Sequence, residues 1–208
     1  MIYSTYLGGC GDEELQVVVV DDDGCAHVAG YTYSAEFPVE NAYDSLFGGF
    51  QDAFLTKFSP EGSNVVFSTY LGGDTYNEWI SDIDVDDAGN IYCAGATMSS
   101  DFPLVNPYQD VFLGGTMVEC DGFVCKFNST GQTLLYSTYL GGIEDDYCAG
   151  IEADQYGLAH IMGYTYSNDF PMANPVYGAM SGAPDAIVAT LSPDGSDLLF
   201  ATFLGGTE

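Results

Sequence analysis

Basic residues are almost absent from this chain of 208 residues. It contains 31 aspartates and glutamates but two basic side chains, Lys57 and Lys126, which gives a formal net charge of −29. Nucleic-acid binding depends on Lys and Arg that neutralise phosphates. A site that binds a carboxylate ligand through a cluster of arginines is also excluded, because the sequence lacks arginine. An anionic membrane surface would repel such a chain. Composition therefore excludes these three classes of partner.

Long apolar runs and helical periodicity are also missing. The sequence has no run of 18 apolar residues, which a membrane-spanning helix would need, and no segment with a sustained helical period and caps at both ends. Short segments rich in Val, Ile, Tyr, Phe and Thr alternate instead with clusters of Asp, Gly, Asn and Pro, a pattern typical of strands and turns. We therefore expect an all-β protein without membrane insertion.

One phrase, YSTYLGG or a close variant, occurs four times. Its copies begin at residues 3, 67, 136 and 200, a period of about 64 to 69 residues. Three other phrases recur between the copies in a fixed order: a hairpin such as VDDAGNIY, a triplet EFP or DFP, and a strand such as DAFLTKF. Four short strands in each unit of this length favour a β-propeller blade over a sandwich or a solenoid.

The repeat predicts one domain that covers residues 1–208. We expect three four-stranded antiparallel blades, at about residues 10–73, 74–142 and 143–206, and one extra strand at residues 3–9. The turns at the centre of each VDxxG-type hairpin are tight, with a glycine free to adopt positive φ.

The combination of STYLGG, the VDxxGN hairpin, SxDFP and DAF resembles the SBBP repeat, a seven-bladed β-propeller repeat of secreted and surface proteins of bacteria and archaea. The resemblance covers nearly the whole chain. It implies a β-propeller in an extracellular or cell-surface setting. It implies no catalytic motif and no particular substrate.

Three blades are fewer than a closed propeller needs. Two blade faces would stay open, and the extra strand at residues 3–9 would have no partner within the chain. Because the first phrase lies inside a repeat, we expect the missing blades to come from other copies of the chain, in a homo-oligomer or polymer, or from further blades of a longer chain. Tyr3, Tyr6 and Leu7 are the residues expected to contribute to this assembly.

Acidic residues recur at four positions of the repeat. They are Glu13, Glu78 and Asp146; Asp21, Asp86 and Asp154; Glu36, Asp101 and Asp169; and Asp52, Asp121 and Asp185. Oxygen-only clusters suit Ca²⁺, so calcium is a candidate cofactor. The candidate ligands are Asp21, Asp23, Asp86, Asp87 and Asp154. The alternative is structural, because an aspartate at a turn also binds nearby backbone amides.

The six cysteines show no metal-binding spacing. Cys93 and Cys125 lie on consecutive strands of one repeat and could face each other, either as a disulfide or as buried thiols. The triplet that begins at Asn128 is a glycosylation sequon on an expected turn.

These observations favour an extracellular structural or adhesive module that assembles with further blades and has no catalytic centre. One alternative is a propeller that binds glycans or a protein through one face. A second alternative is a polysaccharide hydrolase or lyase that uses paired acids such as Asp145 and Asp146.

Overall fold

The computed structural model describes residues 3–115 and 119–206. It contains twelve strands in three four-stranded antiparallel sheets, and each sheet is a meander in chain order. Blade 1 contains β1 (Glu13–Val20), β2 (Ala26–Thr32), β3 (Asp52–Phe58) and β4 (Val65–Leu71). Blade 2 contains β5 (Glu78–Val85), β6 (Ile91–Thr97), β7 (Asp121–Phe127) and β8 (Leu134–Leu140). Blade 3 contains β9 (Asp146–Ala153), β10 (Ala159–Thr165), β11 (Asp185–Leu191) and β12 (Leu198–Leu204).

The sequence prediction of an all-β chain with three four-stranded antiparallel blades is therefore confirmed. The tight turns are confirmed as well, since Gly24, Gly89 and Gly157 have φ angles of 81°, 79° and 81°. The described residues contain no helix that is long and apolar enough to cross a membrane.

The blades pack face to face. The first strand of blade 2, β5, packs against β1, β2 and β3, and the first strand of blade 3, β9, packs against β5, β6 and β7. One apolar core combines the side of blade 1 that bears Leu55 and Phe67 with the side of blade 2 that bears Ile83 and Phe123. A second core joins blades 2 and 3 in the same way. Each of these cores therefore needs two blades.

The long segment between the second and third strands of each blade folds back along the outer strand. In blade 1 it forms bridges from Glu40 to Ser68 and from Asp44 to Tyr70, and in blade 2 a bridge joins Val105 to Ser137. These bridges pair the backbone groups that an outer strand would otherwise expose, which protects the sheet edge from pairing with other chains.

The expected extra strand at residues 3–9 is wrong as a strand, since these residues pair with no sheet. They lie instead on blade 1 in the place that an outer strand of a preceding blade would occupy. A Cβ on Gly62 would collide with the Tyr3 ring, just as a Cβ on Gly131 would collide with the ring of Phe67 from β4. Residues 3–9 cannot form a strand here because no third strand of a preceding blade lies beside them.

Two sides of the three-blade unit have no neighbouring blade. The front face is the side of blade 1 turned away from blade 2, and it exposes Leu15, Val18 and Val20. The rear face is the side of blade 3 turned away from blade 2, and it exposes Met162 and Leu204. Both faces therefore expose apolar side chains.

Blade packing can be tested with two residues at the same repeat position. Ile83 is 2% exposed between blades 1 and 2, whereas Val18 is 63% exposed on the front face. We expect Ile83→Ala to lower the free energy of unfolding by about 2–5 kcal/mol because it leaves a cavity. Val18→Ala is the control and should cost roughly 0.5 kcal/mol or less under conditions in which the chain is monomeric. Urea denaturation of both variants measures this difference, and equal costs would contradict the proposed blade packing.

Candidate functional site

The turns of the first hairpins bring the predicted calcium ligands together at one end of the blades. A cleft of about 460 Å³ lies between the turns of blades 1 and 2, and a cleft of about 370 Å³ lies between those of blades 2 and 3. The acidic residues that line them are Asp21, Asp22, Asp23, Asp84, Asp86, Asp87, Glu152 and Asp154. All five predicted ligands therefore lie in one acidic region.

Asp21 is already engaged by groups of its own blade. Its Oδ1 accepts hydrogen bonds from the amides of Asp23 (3.1 Å) and Cys25 (2.8 Å). Its Oδ2 lies 2.8 Å from Lys57 Nζ and 3.0 Å from His27 Nε2. Burial by itself would raise the pKa of Asp21, but the hydrogen bonds from Lys57, His27 and the Cys25 amide hold that pKa well below its usual range. Asp21 is thus an ionised, fully partnered turn residue.

The equivalent aspartates have the same role. Asp86 accepts hydrogen bonds from the amides of Ala88 and Asn90, and its Oδ2 lies 3.5 Å from Lys126 Nζ. Asp154 accepts hydrogen bonds from two turn amides in the same positions. The repeated aspartate therefore stabilises the turn in every blade, as the structural alternative predicted.

A calcium site needs six to eight oxygen ligands. Among the residues that the structure describes, no three His, Cys, Asp or Glu side chains are grouped so that they could hold a metal ion. Asp23 and Asp87 line the clefts at exposed positions, but the donor set is incomplete. Calcium at Asp21, Asp23, Asp86, Asp87 and Asp154 stays a prediction.

A second group of acids lies at the opposite end of the strands, where neighbouring blades meet. Asp52 begins β3 of blade 1 and Glu78 begins β5 of blade 2, and both are buried. A Cβ on Gly72 would lie 2.6 Å from Glu78 Oε2 and 3.1 Å from Asp52 Oδ1. Both carboxyl groups thus pack against Gly72, which explains why the phrase YLGG requires glycine at this position.

The junction of blades 2 and 3 repeats this arrangement. Asp121 begins β7 and Asp146 begins β9, and a Cβ on Gly141 would lie 3.0 Å from Asp121 Oδ1 and 2.8 Å from Asp146 Oδ2. We call Asp52 with Glu78 and Asp121 with Asp146 the junction carboxyl pairs. Sequence reasoning found that these acids recur but did not find that they pair across blades. The signal was present, because the glycine and both acids recur together.

Burial dominates the electrostatics of the junction carboxyl pairs. It raises the pKa of Asp52 to about 7 and that of Glu78 to about 8. It also raises the pKa of Asp121 to about 7 and that of Asp146 to about 6. In each pair the neighbouring carboxylate adds a repulsion that raises one partner's pKa further. These groups are therefore partly protonated near neutral pH.

The cysteines are all free thiols. Cys93 lies opposite Cys125 in the register of β6 and β7, as the sequence suggested, and both are buried in the core between blades 1 and 2. They fill apolar positions of the repeat. Neither contributes to the acidic region.

The net charge predicts a strong salt dependence. Because the chain carries −29, added NaCl should screen the repulsion and raise the melting temperature between low and high ionic strength. At fixed ionic strength, a comparison of the melting temperature in CaCl₂ with that in EDTA tests calcium binding separately. Asp23→Asn and Asp87→Asn are the variants for this test, because they remove exposed carboxylates from the clefts. An unchanged melting temperature across the salt series would contradict the first expectation, and equal values in CaCl₂ and EDTA would contradict calcium binding.

The junction carboxyl pairs predict a pH dependence of known sign. Because their pKa values are raised on folding, the folded chain keeps protons that the unfolded chain releases above about pH 4. Stability should therefore fall as the pH rises towards 8. Glu78→Gln removes one buried charge, and we expect it to increase the free energy of unfolding at pH 9 by on the order of 2 kcal/mol. Glu40→Gln removes an exposed charge and serves as the control; a similar gain in both variants would argue against a buried pair.

Comparison with known proteins identifies the repeat. A family model described as a beta-propeller repeat, SBBP, matches residues 66–103 and 135–171. Each match runs from the outer strand of one blade through the second strand of the next, so it spans a blade junction. No curated protein matches the chain. The resemblance inferred from the sequence is confirmed, since two segments of the chain match the SBBP beta-propeller repeat.

Proposed function

We propose that this chain is a structural propeller module that associates with further blades of its own type through its front and rear faces. The module acts outside the cell or at its surface and provides a scaffold without a catalytic step. The observation that carries the proposal is the exposure of apolar side chains on the front face whose counterparts are buried between blades.

The front face is built like the faces that pack inside the molecule. Ile83 and Ile151 hold one repeat position in blades 2 and 3, where the preceding blade leaves them 2% and 5% exposed. Val18 holds the same position in blade 1 and is 63% exposed. Leu15 is exposed while its counterparts Ile80 and Cys148 are buried. A preceding blade would cover all of these side chains and gain about 25 cal/mol for each Å² of apolar surface buried.

The rear face is the matching half. Met162 is 61% exposed, whereas Ala29 and Ala94 at the same repeat position are fully buried against the next blade. Leu204 is exposed, although its counterpart Leu71 is completely buried. The rear face thus has the composition of a surface that packs against the front of a following blade.

Residues 3–9 also indicate a missing neighbour. Tyr6 is fully exposed, but its counterparts Tyr70, Tyr139 and Phe203 are buried against the inner strands of their own blades. Leu7 and Tyr3 line a groove of about 300 Å³ on the front face. This arrangement supports the assembly role expected of Tyr3, Tyr6 and Leu7, with the inner strands coming from outside these three blades. Donation of residues 3–9 to a partner stays a prediction.

The setting outside the cell is supported by the charge and by the family resemblance. In a chain with 31 acids and two lysines, the negative side chains repel one another. This repulsion is weakest where salt or divalent cations screen it. Seawater and other saline media have Debye lengths of roughly 3–8 Å. A scaffold of this composition is suited to such media.

Self-association is the direct test. In a solution of this chain the further blades can only belong to other copies, so we expect particles heavier than the 22.2 kDa monomer at high salt. Val18→Asp and Met162→Asp place a charge on the front and rear faces, and each should reduce the particles to monomers. Light scattering after size exclusion measures the mass.

The control is Val111→Asp, which adds a charge to blade 2 at a residue that stays 55% exposed although blades 1 and 3 cover both sides of that blade. It should leave the mass unchanged. A wild-type chain that is monomeric at high salt and at every concentration would refute the proposal, as would particles that survive both face variants.

A further inference from the structure

The junction carboxyl pairs have oxygens without hydrogen-bond donors. Glu78 Oε1 accepts a hydrogen bond from the Thr97 hydroxyl at 2.9 Å, and Asp52 Oδ2 accepts one from the Gly48 amide at 2.8 Å. Glu78 Oε2 and Asp52 Oδ1 are buried and have no partner among the described residues. Both oxygens lie against Gly72, and a proton on one carboxyl group would supply a hydrogen-bond donor at this junction.

Within the described residues, the second pair has one unpartnered oxygen, and it is not the oxygen that faces Gly141. Asp146 Oδ1 is buried without a partner in the described chain, while its Oδ2 accepts hydrogen bonds from the Gly142 amide and the Ser167 hydroxyl. Asp121 accepts hydrogen bonds from the amides of Leu113 and Gly114. A proton on Asp146 would remove the repulsion between two buried charges.

Among the described residues, no lysine lies beside the pairs to take the place of the proton. The two lysines lie at the other end of their strands, beside Asp21 and Asp86. The titratable groups around the first pair are acids, namely Asp44, Asp74 and Asp101. Those around the second pair are two acids and two thiols, namely Asp145, Asp169, Cys120 and Cys148. The hydroxyls of Tyr70 and Tyr139 also lie nearby and donate to backbone carbonyls. Burial raises the pKa of both thiols, so they stay neutral.

The two open faces each carry half of such a pair. On the front face Gly8 lies against Glu13 and no aspartate of a preceding blade is present among the described residues. On the rear face Gly205 lies against Asp185, whose Oδ2 accepts hydrogen bonds from Ser181. Glu13 corresponds to Glu78 and Asp146, and Asp185 corresponds to Asp52 and Asp121.

We propose that the rear face of one copy recognises the front face of another by completing a carboxyl pair between Asp185 and Glu13, with one proton shared at the new junction. The inference rests on the proposed function, since it names the partner of each face as a second copy of this chain. Residues 3–9 of one copy and β12 of the other have the same sequence phrase. One of these two segments occupies the single outer-strand position at the junction between the copies.

Association then takes up a proton. In the open front face, burial would raise the pKa of Glu13, but hydrogen bonds from Ser34, the Gly9 amide and Thr32 hold it below its usual value. At the internal junctions, burial raises the pKa of its counterparts Glu78 and Asp146 to about 8 and about 6. Because the junction binds more protons than the separate faces, association weakens as the pH rises. One proton per junction corresponds to about tenfold in affinity for each pH unit.

Sedimentation velocity between pH 5.5 and 8.5, at fixed ionic strength and with EDTA, tests this. The wild-type chain should associate up to about tenfold more weakly for each unit of pH increase. Glu13→Gln and Asp185→Asn each remove one carboxyl group of the proposed pair, and each should associate with a much flatter pH dependence. Asp110→Asn is the control, since it removes an exposed charge of blade 2, which carries neither open face, and should keep the wild-type slope.

The outcomes separate the two proposals. Association whose pH slope is unchanged in Glu13→Gln and Asp185→Asn would overturn the shared proton and leave the proposed function standing. Recovery of association at pH 8.5 on adding CaCl₂, lost in the same variants, would show a bridging cation and overturn the proton. Absence of association at every pH would overturn the proposed function and this inference together.

Discussion

Face-to-face packing of blades is the interaction on which the rest of this structure depends. Each blade is a thin sheet whose two sides are both apolar, and the large cores lie between sheets rather than within one. Phe123 and Ile83 are buried because blade 1 covers blade 2, and Ile161 is buried because blade 2 covers blade 3. A blade at the end of such a stack keeps one apolar side exposed unless another blade covers it.

The same packing explains how the chain accommodates its buried acidic side chains. With 31 acids and two lysines, the chain cannot pair its buried carboxylates with cations, as most proteins do. At the turns, backbone amides and the two lysines or a histidine hold aspartates such as Asp21 in ionised form. At the blade junctions, where Glu78 and Asp52 meet, burial favours protonation instead. Blade packing and protonation are thereby linked.

Much of the fold could be predicted from the sequence because every repeat has the same pattern of apolar, turn-forming and acidic residues. Strands, turns and blade number follow from alternating β-branched and aromatic segments and from the glycine at positive φ after each turn. The failed strand at residues 3–9 depends on a neighbour that sequence alone does not place. The pairing of Glu78 with Asp52 across blades was missed, because recurrence identifies an equivalent position but not the blade that its side chain faces; the glycine that recurs with both acids was the one signal for it.

A structure of the associated particle, determined by cryo-electron microscopy, tests the central claim most directly. The account predicts that the front face of one copy lies on the rear face of the next, with Val18 as buried as Ile83 is inside the chain and with Glu13 beside Asp185 of the neighbouring copy. Particles held together through other surfaces, with Val18 and Met162 still exposed to solvent, would contradict it.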